Sequence, residues 1–229
     1  KELQNKDEIL FEVLNPDVNI DIYAGEILKI ENKEFIYRSY KSWCDLAELL
    51  FCKMLISSIT LNTVVIKLQK LNKNDSFHKD LNDEKNEKYG EKSTFFRINK
   101  NEEPAFLYAY MNALKNVKIE EKTNILNLGI NKADEFEIIK EMVNEDIFKQ
   151  MNFVGVDYSL SAIDFAKKRF PYENFNFFNH DINKLNELNL KKSDLIISIG
   201  TLQSSSLNFK LLFMDLIQNY LEDKGSIIL

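Results

Sequence analysis

Asn124-Ile-Leu-Asn-Leu-Gly129 and Phe153-Val-Gly-Val-Asp157 decide the fold. Each is a short apolar run that ends in a glycine or a carboxylate, and each leads into helical spacing: Phe136, Ile139 and Val143 after the first, Ala162, Ile163, Ala166 and Phe170 after the second. Runs of this length between turn residues suit strands buried on both faces. Outward from this pair the pattern recurs at Phe175 to Asp181, Leu195 to Gly200 and Ser226 to Leu229. Strands alternating with helices predict an α/β fold, a doubly wound and mostly parallel sheet, and such sheets take ligands in a crevice beyond the strands' carboxyl ends. The functional residues are therefore expected at these strand tips.

At the first tip, Gly129 lets the backbone approach a ligand, and the amides of the following helix start suit a carboxylate or phosphate. A purely structural tight turn would use the same glycine. The dinucleotide fingerprint G-x-G-x-x-G is absent, since Asn131 and Ala133 stand where further glycines would help. At the second tip, an ionised Asp157 can accept from both hydroxyls of a ribose; the competing reading makes it a helix-start residue. Ser159 or Ser161 caps the next helix.

On these residues, Asn124 to Leu229 resembles the first five strands of the class I S-adenosylmethionine-dependent methyltransferases, a Rossmann-like family. The resemblance implies that Asn127, Gly129 and Asn131 belong to the loop holding the methionine portion of S-adenosylmethionine, that Asp157 binds the ribose, and that Tyr158 covers one adenine face. Phe175-Asn-Phe-Phe-Asn-His-Asp-Ile182 resembles the third motif, which implies Asp181 accepting from the adenine amino group and the Ile182 amide donating to the ring. Ser193 to Gln203 resembles the fourth, which puts the backbone at Ser198 and Gly200 beneath the sulfonium, and Asp223 to Leu229 resembles the turn into the fifth strand.

Three departures stand out: Asn127 replaces the acid that usually ends the first strand, two loop positions lack glycine, and two further strands have no counterpart before Leu229. The expectation is a domain incomplete at its carboxyl end. The function expected from the resemblance is methyl transfer to a small-molecule acceptor, with S-adenosylhomocysteine as product. An acceptor that loses a proton needs a base, and His180 is the histidine beside a strand tip. The Asn-Pro-Pro-Tyr-like tetrapeptide of exocyclic-amine methyltransferases is absent from the fourth tip. A non-catalytic methyltransferase-like binding or scaffolding module is the alternative, and a nicotinamide-dependent oxidoreductase a third reading that lacks its glycine fingerprint.

The remaining chain divides into a small α+β accessory domain over residues 1–71, a polar linker or flap over 72–92, and the cofactor domain over 93–229. Alternation at Val18, Ile20 and Ile22, then Ile27 to Ile30 and Phe35 to Tyr37, predicts short antiparallel strands, with another at Thr63 to Leu68. Ser42 and Asp45 read as a capping box opening a helix with Trp43, Leu46, Leu50 and Met54 on its apolar face, a helix that would carry both Cys44 and Cys52. Those cysteines read as small buried hydrophobes rather than as a redox pair. A further helix has Pro104 in its first turn and Leu107, Tyr108, Met111 and Leu114 on one face, preceded by Phe95-Phe-Arg-Ile98, a segment placed to close over a cofactor.

With 229 residues and 45% hydrophobic content the chain can bury ample core. A net charge of −6 argues against a nucleic-acid partner, and two histidines give no zinc-ligand spacing. No run reaches the roughly 18 apolar residues of a membrane helix, and the first residues are charged, so no membrane partner and a cytoplasmic protein are expected.

Overall fold

The computed structural model describes residues 3, 5–17, 22–72, 87, 89–93, 95–204 and 207–229. The chain forms two compact units, Lys1–Lys79 and Asp80–Leu229.

In the first unit, strands β1 (Glu8–Leu14), β5 (Thr63–Lys70) and β4 (Cys52–Ile59) pair antiparallel in the order β1-β5-β4. Alternate residues Val64, Ile66 and Leu68 of β5 point inward and bury against Val13, Trp43, Ala47 and Cys52, as a period-two strand with one covered face requires. Strands β2 (Ile27–Ile30) and β3 (Lys33–Ile36) form the expected hairpin, turned by Glu31 and Asn32, both at positive φ. Of the strand expected before it, Val18 and Ile20 lie outside the described residues and Ile22 belongs to no strand.

Helix α1 (Tyr40–Leu49) begins earlier than the capping-box reading places it. Ser39 is the N-cap and accepts from the Ser42 amide at 3.3 Å, while Asp45 pairs with Lys41. The helix stops at Leu49, and Phe51 turns the chain at φ 53 into β4. Cys52 and Met54 therefore lie on a strand, where pairing with β5 overrides the helical spacing. Cys52 is buried, but Cys44 is exposed on the helix.

In the second unit, β6 (Asn124–Leu128), β7 (Asn152–Asp157), β8 (Phe175–Asn179), β9 (Ser193–Ile197) and β10 (Leu221–Ile228) make a parallel sheet in the order β10-β9-β6-β7-β8. The order reverses at β6, which lies between β7 and β9; this is the switch point at which open sheets leave a crevice. One face packs on helices α2 (Pro104–Asn116), α3 (Asp134–Met142), α4 (Glu145–Gln150) and α5 (Leu160–Arg169). The other packs on α6 (Phe209–Asp215) and the short helix Ile182–Leu188. The two-sided cover is the doubly wound architecture expected from the strand–helix alternation.

Phe136 of α3 sits among Phe153, Phe170, Phe175 and Phe177, with ring centroids 4.9 to 6.4 Å away. Burying this ring sets α3 against β7 and β8. Helix α2 buries Tyr110 and Leu114, whereas Tyr108, read as part of its apolar face, is 73% exposed. Among the described residues no helix is long and apolar enough to cross a membrane.

Candidate functional site

Successive strand residues face opposite sides of the sheet. Ile125 and Phe153 pack on the α3 side, so Asn127 and Asp157, two and four residues on, project to that side at the carboxyl ends of β6 and β7. Asn127 is 1% exposed, and neither its Nδ2 nor its Oδ1 has a hydrogen-bond partner among the described residues. Such groups are rare in folded proteins and call for a water or a ligand.

Gly129 follows at φ 72. A Cβ there would overlap the Thr201 side chain, so the glycine makes room for the loop after β9. Asn131 and Ala133 also adopt positive φ, at 47 and 64. The left-handed backbone expected of a glycine loop thus persists without the glycines; asparagine tolerates it, and alanine does so at a cost of about 1–2 kcal/mol.

Asp157 is buried and anchors this loop. Its Oδ2 accepts from the Asn131 amide at 2.7 Å and its Oδ1 from the Ser159 amide at 2.9 Å. Each carboxylate oxygen still has acceptor capacity. Burial raises its pKa, the amides of Ser159, Asn131 and Tyr158 oppose the rise, and the charge of Glu87 adds to it. Ser159, not Ser161, is the N-cap of α5, and Tyr158 beside it is 52% exposed.

Two carboxylates near these tips escaped the sequence reading. Glu135, in the first turn of α3, is half-buried as a residue, but its carboxyl is crowded by protein and its pKa is pushed up to about 7, chiefly by loss of solvent, with Asp134 and Asp157 adding to the rise. Glu87 caps α5: its carboxylate accepts from the Leu160 amide at 2.9 Å, the Ser161 amide at 3.3 Å, Ser159 Oγ at 3.0 Å and the Ser161 hydroxyl. Burial alone would raise its pKa, yet these four donors hold it below the usual value. Nothing in a run of Asn, Asp, Glu and Lys distinguishes Glu87 from its neighbours, and Glu135 reads as an ordinary acid at a helix start.

The same strap continues past Glu87. Asn131 Nδ2 donates to the Tyr89 carbonyl at 2.7 Å, and the Glu91 amide donates to Ser161 Oγ at 2.8 Å. Phe95–Arg97 forms a short 3-10 helix; Phe96 is buried edge-on against Phe165, and Lys132 Nζ donates to the Phe96 and Ile98 carbonyls. This segment is tied to the loop after β6.

At the β8 tip, Asp181 accepts from the Asn183 amide and from Asn183 Nδ2, both at 2.9 Å and both on Oδ1, as the cap of the Ile182–Leu188 helix, and Ile182 is buried. The His180 ring turns to its own segment, with Nε2 3.0 Å from the Lys184 carbonyl oxygen and 3.4 Å from Glu187. At the β9 tip, buried Ser198 donates through Oγ to the Leu128 carbonyl at 3.3 Å, and exposed Gly200 turns at φ 72. The structure thus gathers Asn127, Gly129, Asn131, Asp157 and Ser198 around the β6 switch point. The His180 ring is directed elsewhere. Among the described residues no group of three or more His, Cys, Asp or Glu is arranged to hold a metal.

A five-stranded parallel sheet reversing at its central strand, with a left-handed loop after that strand and a buried acid at the end of the next, defines a Rossmann-like α/β domain of the methyltransferase type. Residues 119–229, a little under half of the chain, match the family model of a methyltransferase domain. No curated protein matches the chain. Among solved structures, the plantazolicin methyltransferase BpumL in complex with SAH is 20% identical, with 56% of this chain and 48% of that chain covered and a TM-score of 0.44. The SAH-bound Podospora anserina methyltransferase PaMTH1 is 14% identical, with 52% and 50% covered and a TM-score of 0.41. The chain spans about half the length of these structures.

Proposed function

We propose that the chain binds S-adenosylmethionine at the tips of β6 to β9 and takes part in methyl transfer to a small-molecule acceptor. The observation that carries this reading is the buried Asp157 carboxylate, held by two loop amides beside the unpartnered side chain of Asn127. The donor set fits the cofactor: an acid with spare acceptor positions suits a ribose diol, an orphaned amide suits the polar end of an amino acid, and an exposed tyrosine beside the acid suits an adenine face.

Bound S-adenosylmethionine supplies an electrophilic methyl group on a sulfonium, displaced in line, so the protein's share is alignment and exclusion of water. Asp157 fixes the ribose and the Asn131 amide fixes Asp157. Tyr158, Asp181 and the Ile182 amide would hold the adenine, and the backbone at Ser198 and Gly200 would face the reactive end of the cofactor. His180 has no proton-accepting step at Nε2, because a ring nitrogen facing a carbonyl oxygen must carry the proton. The strap from Glu87 to Ile98 shields the tips.

Calorimetry tests this. S-adenosylhomocysteine should bind the chain, and Asp157→Ala should remove most of the affinity. The non-catalytic reading is favoured by the altered loop after β6, where Asn131 and Ala133 hold left-handed backbone in place of glycines, and it predicts no heat with either protein.

A further inference from the structure

We propose that Glu87 is a positioning residue for Asp157: seated on the start of α5, it fastens the strap to Asn131 and Ser159, the two residues whose amides set the carboxylate assigned to the ribose. The inference rests on the cofactor reading above and goes beyond a shielding role for the strap. Two paths of hydrogen bonds carry it. On one, the Ser159 amide donates to Asp157 Oδ1 at 2.9 Å and Ser159 Oγ donates to Glu87 at 3.0 Å. On the other, the Asn131 amide donates to Asp157 Oδ2 at 2.7 Å and Asn131 Nδ2 donates to the Tyr89 carbonyl at 2.7 Å. Both residues that fix the acid through the backbone therefore fix the strap through the side chain.

The seating is a close fit. Besides Ser159, Glu87 takes the Leu160 and Ser161 amides and the Ser161 hydroxyl, and the Glu91 amide returns to Ser161 Oγ. Gly90 turns the strap between these contacts, its amide donating to the Glu87 carbonyl at 2.9 Å. A Cβ at Gly90 would overlap the Glu87 carboxylate and crowd the Ser159 and Ser161 hydroxyls, so this approach needs a glycine. Glu87 and Asp157 carry like charges, and Glu87 adds to the rise in the Asp157 pKa. Attraction therefore does not couple them; the donors supplied by Ser159 and Asn131 do. A binding group keeps its geometry only when the residues that orient it are held by bonds of their own, and releasing the strap frees both supports of Asp157 at once.

A double-mutant cycle on the full chain tests this. S-adenosylhomocysteine should bind Glu87→Ala about tenfold more weakly than the unaltered protein, and Gly90→Ala, which keeps the acid but unseats it, should lose a similar factor. In an Asp157→Ala background each substitution should cost less than about threefold, because the carboxylate through which the strap acts is gone. Asn144→Ala, which removes the cap of α4, should leave the affinity within about twofold, so that loss of a helix cap as such is not the cause. Without ligand, Asp157→Ala should speed exchange of the Leu160 and Ser161 amides about fivefold or more, while the Ile147 amide, capped by Asn144, changes by less than about twofold. Equal losses with and without Asp157, a loss in one or neither of the strap variants, a comparable loss in Asn144→Ala, or unaltered exchange at Leu160 and Ser161 would each overturn the positioning role and leave the cofactor reading standing. If the unaltered protein binds no S-adenosylhomocysteine, the cofactor reading falls and the positioning role falls with it.

Discussion

The tips of β6 and β7 differ from the tip of β8 in how their polar groups are satisfied. Around Asn127, Glu135 and Asp157 the side chains are buried or crowded, one amide has no hydrogen-bond partner among the described residues, and two carboxyl pKa values are raised. Around His180 and Asp181 the side chains face their own segment, and their bonds close a cap and a turn. Folding alone accounts for the second set. The first is poorly satisfied without a ligand, and buried polar groups left in that condition are what a binding site requires.

Removing one acid from each region is the severest test of that contrast. Asp157→Ala should weaken S-adenosylhomocysteine about 100-fold or more by calorimetry, since two hydroxyl bonds to a buried carboxylate are lost. Asp181→Ala should cost about tenfold or less, because a single neutral donor is involved. Asp157→Ala also leaves the amides of Asn131 and Ser159 without their acceptor, so its unfolding free energy should drop by about 1–3 kcal/mol. Equal binding losses from both substitutions would erase the distinction.

The raised Glu135 pKa gives the next largest effect, on stability. Between 4.5, its ordinary value, and about 7 the folded state holds a proton that the unfolded chain has released, so stability falls as pH rises through that window. Glu135→Gln should remove this fall, gaining about 1–3 kcal/mol on wild type between pH 5 and pH 8 in urea titrations. Asp157 contributes in the same direction from just above 3.8, and both proteins share that contribution. A difference between them that ignores pH would mean that the Glu135 carboxyl is solvated.

The sheet was legible because burial on both faces leaves a strong signature: continuous apolar runs with a polar residue where the strand meets solvent. Gly129 and Asp157 stand out by that signature, whereas Asn127 is singled out only by the family resemblance. The first unit was harder, since β1 and β4 are half-exposed strands that derive their stability from pairing with β5, and Cys52 to Ile59 carries spacing compatible with a helix. Glu135 and Glu87 were invisible for another reason. A helix-start acid and an acid in a polar run look the same whether solvated or buried, and only the fold decides.

The strap sharpens the comparison, because it covers the β6 and β7 side. Glu87→Ala should loosen it, lowering the protection of the Leu160 and Ser161 amides in hydrogen exchange and costing about 1 kcal/mol, the usual value of a helix cap. Because the Glu87 pKa is depressed, its contribution is present above the ordinary carboxylate value near 4.5 and is lost as pH falls below it. The strap should therefore loosen in acid while the Glu135 contribution is at its most favourable, which separates the two carboxylates in one pH series.

The smallest effect is expected at His180. Its Nε2 carries the proton shared with the Lys184 carbonyl, and Glu187 lies beyond, so the ring serves the turn after β8. His180→Gln keeps a donor in the side chain and should change S-adenosylhomocysteine affinity by less than about threefold, within the loss of one partly exposed hydrogen bond. Where methyl transfer can be followed with an acceptor, the rate should change as little, and its pH profile should keep its shape. A collapse in rate at unchanged cofactor affinity would make His180 the base after all. The β8 tip would then hold a chemical group as well as a structural cap, and unsatisfied burial would no longer suffice to tell the two regions apart.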